Sequence, residues 1–132
     1  MDSALVAKKL AFIETCVREL EDTADPGKLD EDIREARFVE HTLQIAIQAA
    51  LDVASHTISI KRLGEPETNR ALFDALHRAG LLDGSLAESM HAMAGFRNIL
   101  VHGYQEVDTG IVRDILENHL HDLRDFVRAM RQ

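Results

Sequence analysis

The chain has 132 residues and a formal net charge of −8, from 23 Asp and Glu against 15 Lys and Arg. That balance excludes a nonspecific polyanion binder, which would be basic; any nucleic acid must be held by a local cationic patch, or only briefly. One cysteine, Cys16, excludes an intrachain disulfide and makes a reducing cytoplasm the expected compartment, with no signal peptide and no apolar run of membrane length.

Glycine and proline are scarce, at 7 and 2, so residues 1–132 are expected to form one all-α domain, large enough for its own core. The first helix is predicted from Asp2 or Ser3 to Glu21. Val6, Leu10, Ile13, Val17 and Leu20 form its apolar stripe, widened by Phe12 and Cys16. Asp25-Pro26-Gly27 then breaks the chain.

The second helix is predicted from Asp30 or Glu31 to about Leu63, roughly 50 Å at 1.5 Å per residue. Its first third is charged and reads as a solvated face. Beyond Val39 it is apolar on two sides, with Leu43, Ile47, Ala50, Ala54 and Ile58 on one and Ile45, Ala49, Val53 and Ile60 on the other. Such a helix is central in its bundle or buried between chains. Between the two faces Gln44, Gln48, Asp52 and His56 step by four. This polar seam either lines a site or forms a strip facing solvent.

Thr68 is a fitting N-cap for a short third helix anchored by Leu72, Phe73 and Leu76, with Arg70, His77 and Arg78 on a basic side. Ser85 and Glu88 have the spacing of a capping box for the fourth helix. A fifth, capped by Asp108 or Thr109, should run to about Met130. Ile111, Ile115, Leu116, Leu123, Phe126, Val127 and Met130 are its packing residues. His119 and His121 are two apart and cannot share a helix face as metal ligands at i, i+4 do. The sequence contains no Cys/His metal spacing, no phosphate-binding glycine loop and no nucleophile elbow, so neither metal nor cofactor is expected.

The chemistry concentrates in Phe96-Arg97-Asn98-Ile99-Leu100-Val101-His102-Gly103-Tyr104. Leu86, Met90, Met93, Arg97 and Leu100 share one helix face, so Arg97 lies on an apolar stripe and needs a partner, a ligand or an interface. His102 is about 140° around the helix from Arg97. Either Gly103 ends the helix early enough for His102 and Tyr104 to turn back, or a second chain completes the site. Histidine can shuttle a proton near neutral pH, arginine grips phosphate oxygens bidentately, and tyrosine bonds phosphate or stacks on a base. The trio suits metal-free RNA cleavage by the ribose 2′-hydroxyl. The structural alternative is an Arg paired with a carboxylate and a His capping a helix C-terminus.

R-N-I-L-V-H-G-Y, preceded by M-A-G-F, resembles the signature of HEPN-domain ribonucleases, and more narrowly the HepT toxins of HepT/MntA systems. Q-I-A-I-Q-A-A-L-D-V-A-S-H and the ending with Y-Q-E-V-D and H-L-H-D-L-R-D-F extend the likeness over roughly residues 5–130. The predicted elements make an all-α bundle of about five helices with helices 2, 4 and 5 at its centre, and the resemblance implies that it is HEPN-like. It also implies a homodimer whose interface cleft joins the two motifs. By it Arg97 and His102 are catalytic, and Asn98, Tyr104, Asp52 and His56 support the site or position RNA, whether tRNA or mRNA. The expected setting is a type VII toxin–antitoxin system. There an MntA-type minimal nucleotidyltransferase antitoxin transfers AMP from ATP to Tyr104, and no membrane is involved. A reading from another class is a non-catalytic helical module that docks a nucleotidyltransferase.

Overall fold

The computed structural model describes residues 3–103 and 107–131, and among them all regular structure is helical. The helices are α1 (Ser3–Thr23), α2 (Ile33–Lys61), α3 (Asn69–Arg78), α4 (Gly84–His102), α5 (Thr109–Asn118) and α6 (Leu120–Met130), with a 3-10 turn at Pro26–Lys28.

Side-chain caps set the helix starts. Asp32 accepts from the Arg34 N–H at 2.9 Å, Thr68 from Ala71 at 3.2 Å and Asp108 from Gly110 at 2.8 Å. Each oxygen satisfies one of the amide donors that a helix start leaves open. At α4 the cap is Asp83, whose carboxylate accepts from Leu86 at 2.8 Å, in place of the expected Ser85–Glu88 box. Asp83 lies two residues earlier, so α4 starts at Gly84, and Ser85 falls inside the helix rather than at its cap. At the other end of α2, Arg62 in the left-handed region stops the helix (φ 55°, ψ 53°).

α2 is the central element, packed on α1, α3 and α4, while α6 packs on α1 and α4. Val39, Leu43, Ile47, Ala50, Ala54 and Ile58 are buried along α2, as are Val53 and Ala49 on its second face. Cys16 is buried in α1, and burial pushes its thiol up to about 11, so it remains a protonated core group. Phe73 of α3 meets Phe126 of α6 edge to face, ring centroids 5.7 Å apart. Arg124 of α6 and Arg131 just beyond it clasp α1: Arg131 forks onto Glu14, at 2.8 and 3.1 Å, and Arg124 onto Glu21.

Three further expectations change. The last predicted helix is two, because the backbone leaves helical geometry at His119 (φ −128°, ψ 1°). There the imidazole lies between two carboxylates, 2.9 Å from Asp122 and 3.2 Å from Asp114. Of the two halves, α6 reaches the centre; α5 lies on α6 and the 3-10 turn, held by Arg113 on Asp30 at 2.7 Å. Finally, Phe12, Ile60 and Ile111 are exposed rather than packed, and Val112 takes the buried position on α5.

Candidate functional site

α4 carries the motif. Leu86, Met90, Met93 and Leu100 are buried on its inner stripe, and Arg97 on the same stripe is half-buried. One arginine amino group, Nη1, donates to Asn98 Oδ1 at 3.3 Å. Its Nε is buried with no hydrogen-bond partner, and no carboxylate pairs with it among the described residues. The structural alternative, an ion-paired Arg97, is therefore absent from this arrangement.

His102 is exposed, and it is still in the helix. Gly103 ends α4 one residue later, in a backbone conformation glycine favours (φ 155°, ψ 132°), its N–H donating to Ile99 O at 3.1 Å. Of the two alternatives, a turn of His102 back toward Arg97 does not occur, because His102 is still helical. Arg97 and His102 stay about 140° apart around one continuous helix, with half-buried Asn98 between them, about 40° from His102. Tyr104 lies outside the described residues. Exposed Ile99 and Val101 flank His102, so this end of α4 mixes ionisable and uncovered apolar groups.

The structure places Asp52 on the α1 side of α2. Lys9 Nζ lies 3.0 Å from one carboxylate oxygen, and Gln48 Nε2 donates to the other at 2.8 Å. Further along, His56 lines a cleft of about 420 Å³ with Leu10, Ile60, Leu81 and Met130, and its Nε2 is buried without a partner. No hydrogen bond or ion pair among the described residues joins Asp52 or His56 to Arg97, Asn98 or His102. The seam is nonetheless unusual. Gln44 Oε1, Gln48 Oε1 and His56 Nε2 are buried and unpartnered, as is Arg97 Nε. A buried polar group left unpaired costs about 1–3 kcal/mol, so water, a ligand or a second chain is the expected partner.

One cation escaped the motif-based reading. Arg70 of α3 lies against the backbone of α4 at Gly95, where a Cβ would sit 3.1 Å from the guanidinium carbon and two of its nitrogens. A glycine inside a helix was the available signal, since it marks a close approach. One turn back, His91 Nδ1 lies 3.2 Å from Asp74 on α3, which fixes the register of the two helices.

Elsewhere, ligand atoms of His121, Asp122 and Asp125 come within 4.8 Å of one another at the start of α6. Asp122 is already engaged by His119 at 2.9 Å and Asp125 by Arg128 at 2.9 Å, so both carboxylates already have partners within the chain. No helix among the described residues is long and apolar enough to cross a membrane.

The family profile described as "Ribonuclease HepT-like" matches residues 13–130. A Shewanella oneidensis protein named mRNA nuclease HepT is 29% identical over 128 residues, covering 96% of each chain. A tRNA nuclease HepT of Aphanizomenon flos-aquae is 36% identical over 71 residues, 54% of this chain and 48% of that protein. A solved structure of a tri-AMPylated Shewanella oneidensis HEPN toxin in complex with an MNT antitoxin superposes with a TM-score of 0.90 at 29% identity, covering 99% of this chain and 98% of that one.

Proposed function

The chain belongs to the ribonuclease HepT-like family, and we propose that it is a metal-independent endoribonuclease toxin, acting in the cytoplasm as a single-domain homodimer. The observation that carries this reading is the end of α4. A half-buried arginine without a carboxylate, an asparagine bound to it and an exposed histidine stand there within six residues. Because one helix holds Arg97 and His102 on diverging faces, a two-fold pair of α4 ends is the simplest way to bring an arginine and a histidine to one phosphate. The uncovered Ile99 and Val101 give that pairing apolar surface to bury.

In the proposed mechanism the ribose 2′-hydroxyl attacks the adjacent phosphorus. His102 takes or returns a proton during this displacement. Arg97 grips the non-bridging oxygens and stabilises the extra charge of the pentacoordinate state. Asn98 fixes the guanidinium, as its 3.3 Å hydrogen bond already does, and Tyr104 positions the RNA. Along α2, Asp52 and His56 support the cleft; the unpartnered His56 Nε2 is the atom free to take a hydrogen bond from a ligand or a second chain.

The proposed partner is a minimal nucleotidyltransferase antitoxin of the MNT kind, as in the complex of the related toxin. The Tyr104 hydroxyl would attack the α-phosphorus of ATP, releasing pyrophosphate and leaving AMP on the tyrosine. Two residues from His102, that group adds bulk and negative charge where an RNA phosphate must approach.

Induction of the wild-type chain, Arg97→Ala and His102→Ala without any partner tests the reading. Expected are growth arrest and cleavage of tRNA or mRNA by the wild type alone, persisting in EDTA. A folded, unmodified wild type that leaves RNA intact would favour instead a non-catalytic module docking a nucleotidyltransferase, which the net charge of −8 suits.

A further inference from the structure

We propose that Arg70, seated on Gly95, is a second phosphate-binding group of the RNA site, holding a backbone phosphate beside the one at His102. The inference rests on the ribonuclease reading and extends it to a residue outside the motif. α3 and α4 are consecutive, antiparallel helices whose register is set by two rungs four residues apart, Asp74 against His91 and Arg70 against Gly95. By the same register Asn69, where α3 starts, lies alongside Phe96. Arg70 is thus the α3 cation nearest the catalytic end of α4.

The helix wheel puts Arg70 on the correct side. His102 follows Gly95 by seven residues, so it lies about 20° around the axis and about 10 Å along it. Asn98 lies about 60° away and a turn along. The guanidinium therefore shares a face with His102, whereas Arg97 projects from the opposite one. Arg70 is exposed and makes no hydrogen bond or ion pair among the described residues; Glu67, one turn earlier, leaves it unpaired. Asp74 is turned away onto His91. A free guanidinium laid flat against a helix has lost much of its rotational freedom yet keeps its edge for an anion. The planar fork matches two phosphate oxygens. A chain of charge −8 has particular need of such a cation, because RNA is repelled by the rest of its surface.

The test uses the full chain and a short fluorescein-labelled single-stranded oligoribonucleotide of mixed sequence, with anisotropy read over a salt series. To prevent cleavage, binding is measured in the His102→Ala background. Adding Arg70→Gln is expected to weaken binding about tenfold and to flatten the salt dependence by about 0.7, the contribution of one single-strand phosphate contact. Arg70→Lys keeps the slope. Gly95→Ala keeps every charge but places a methyl 3.1 Å from the guanidinium, displacing it; affinity is expected to fall with the slope retained. In the otherwise wild-type chain, Arg70→Gln should raise KM about tenfold with kcat changed less than about twofold, the signature of a lost uniform contact. Circular dichroism establishes that each variant folds. Unchanged affinity, slope and KM in folded Arg70→Gln, beside a wild type that cleaves, overturns the role of Arg70 and leaves the ribonuclease reading intact. A wild type that neither binds nor cleaves RNA overturns both.

Discussion

The Arg97 guanidinium reaches Asn98 Oδ1 at 3.3 Å, while its own Nε is buried with no partner. A half-buried arginine with one buried nitrogen unsatisfied is costly in a folded chain standing alone. It becomes favourable when an anion or a second protein surface closes over it, and that incompleteness directs the predictions about the site.

If each cleft combines Arg97 of one protomer with His102 of the other, inactive variants will complement. Arg97→Ala and His102→Ala alone should each lower cleavage by at least about 10²-fold. Unfolded together and refolded as a mixture, they form heterodimers with one intact cleft of two. Recovery of about a quarter of wild-type activity is then expected. Absence of any recovery, with heterodimers shown by mass, would mean that both residues serve one cleft from the same chain.

Modification at Tyr104 can be separated from docking. Coexpressed with its nucleotidyltransferase, the wild-type chain should gain the mass of one or more AMP groups and lose cleavage. Tyr104→Phe should gain none and remain active beside the partner. Detoxification of Tyr104→Phe without a mass change would make physical occlusion, not AMP transfer, the neutralising step.

The core pair Phe73 and Phe126 joins α3 to α6, and both rings are fully buried. Phe126→Ala should cost about 3–5 kcal/mol in urea denaturation, from lost transfer energy and the cavity left behind. Phe126→Leu, which refills part of that volume, should cost clearly less.

Acid should loosen the clasp between α1 and α6. The hydrogen bonds from Arg131 and Arg124 hold the carboxyls of Glu14 and Glu21 below their ordinary value of 4.5. A carboxylate depressed in the folded state adds stability above its unfolded value and loses it as pH falls through the folded one. The melting temperature should therefore be insensitive to these groups from about pH 7 to 5 and decline below the ordinary carboxylate range. Both pairs are solvated, so the effect is small. Glu14→Gln with Glu21→Gln should shrink the decline, and an identical pH profile in that double variant would assign acid sensitivity to other carboxyls.

Read from the sequence alone, the all-helical class, the first four helices and the residues of the motif are legible, because periodicity and capping are local. Leu10, Ile13 and Val17, or Leu43, Ile47 and Ala50, recur at the helical period and are buried as that period requires. Thr68 and Asp108 cap where their side chains can reach the next amides. The break at His119 was not legible, since its periodicity continues from Ile115 into Leu123. It coincides with an imidazole held between Asp114 and Asp122. Nor was the exposure of Phe12 and Ile111 readable, because which edge of an apolar stripe is covered depends on the neighbouring helix. The site divides in the same way. Sequence placed Arg97, Asn98 and His102 at the end of one helix. Only the tertiary structure decided that α4 runs unbroken through His102, that Arg97 finds no carboxylate, and that Arg70 from another helix lies on Gly95. Those relationships depend on how segments distant in the chain pack, which no local pattern encodes.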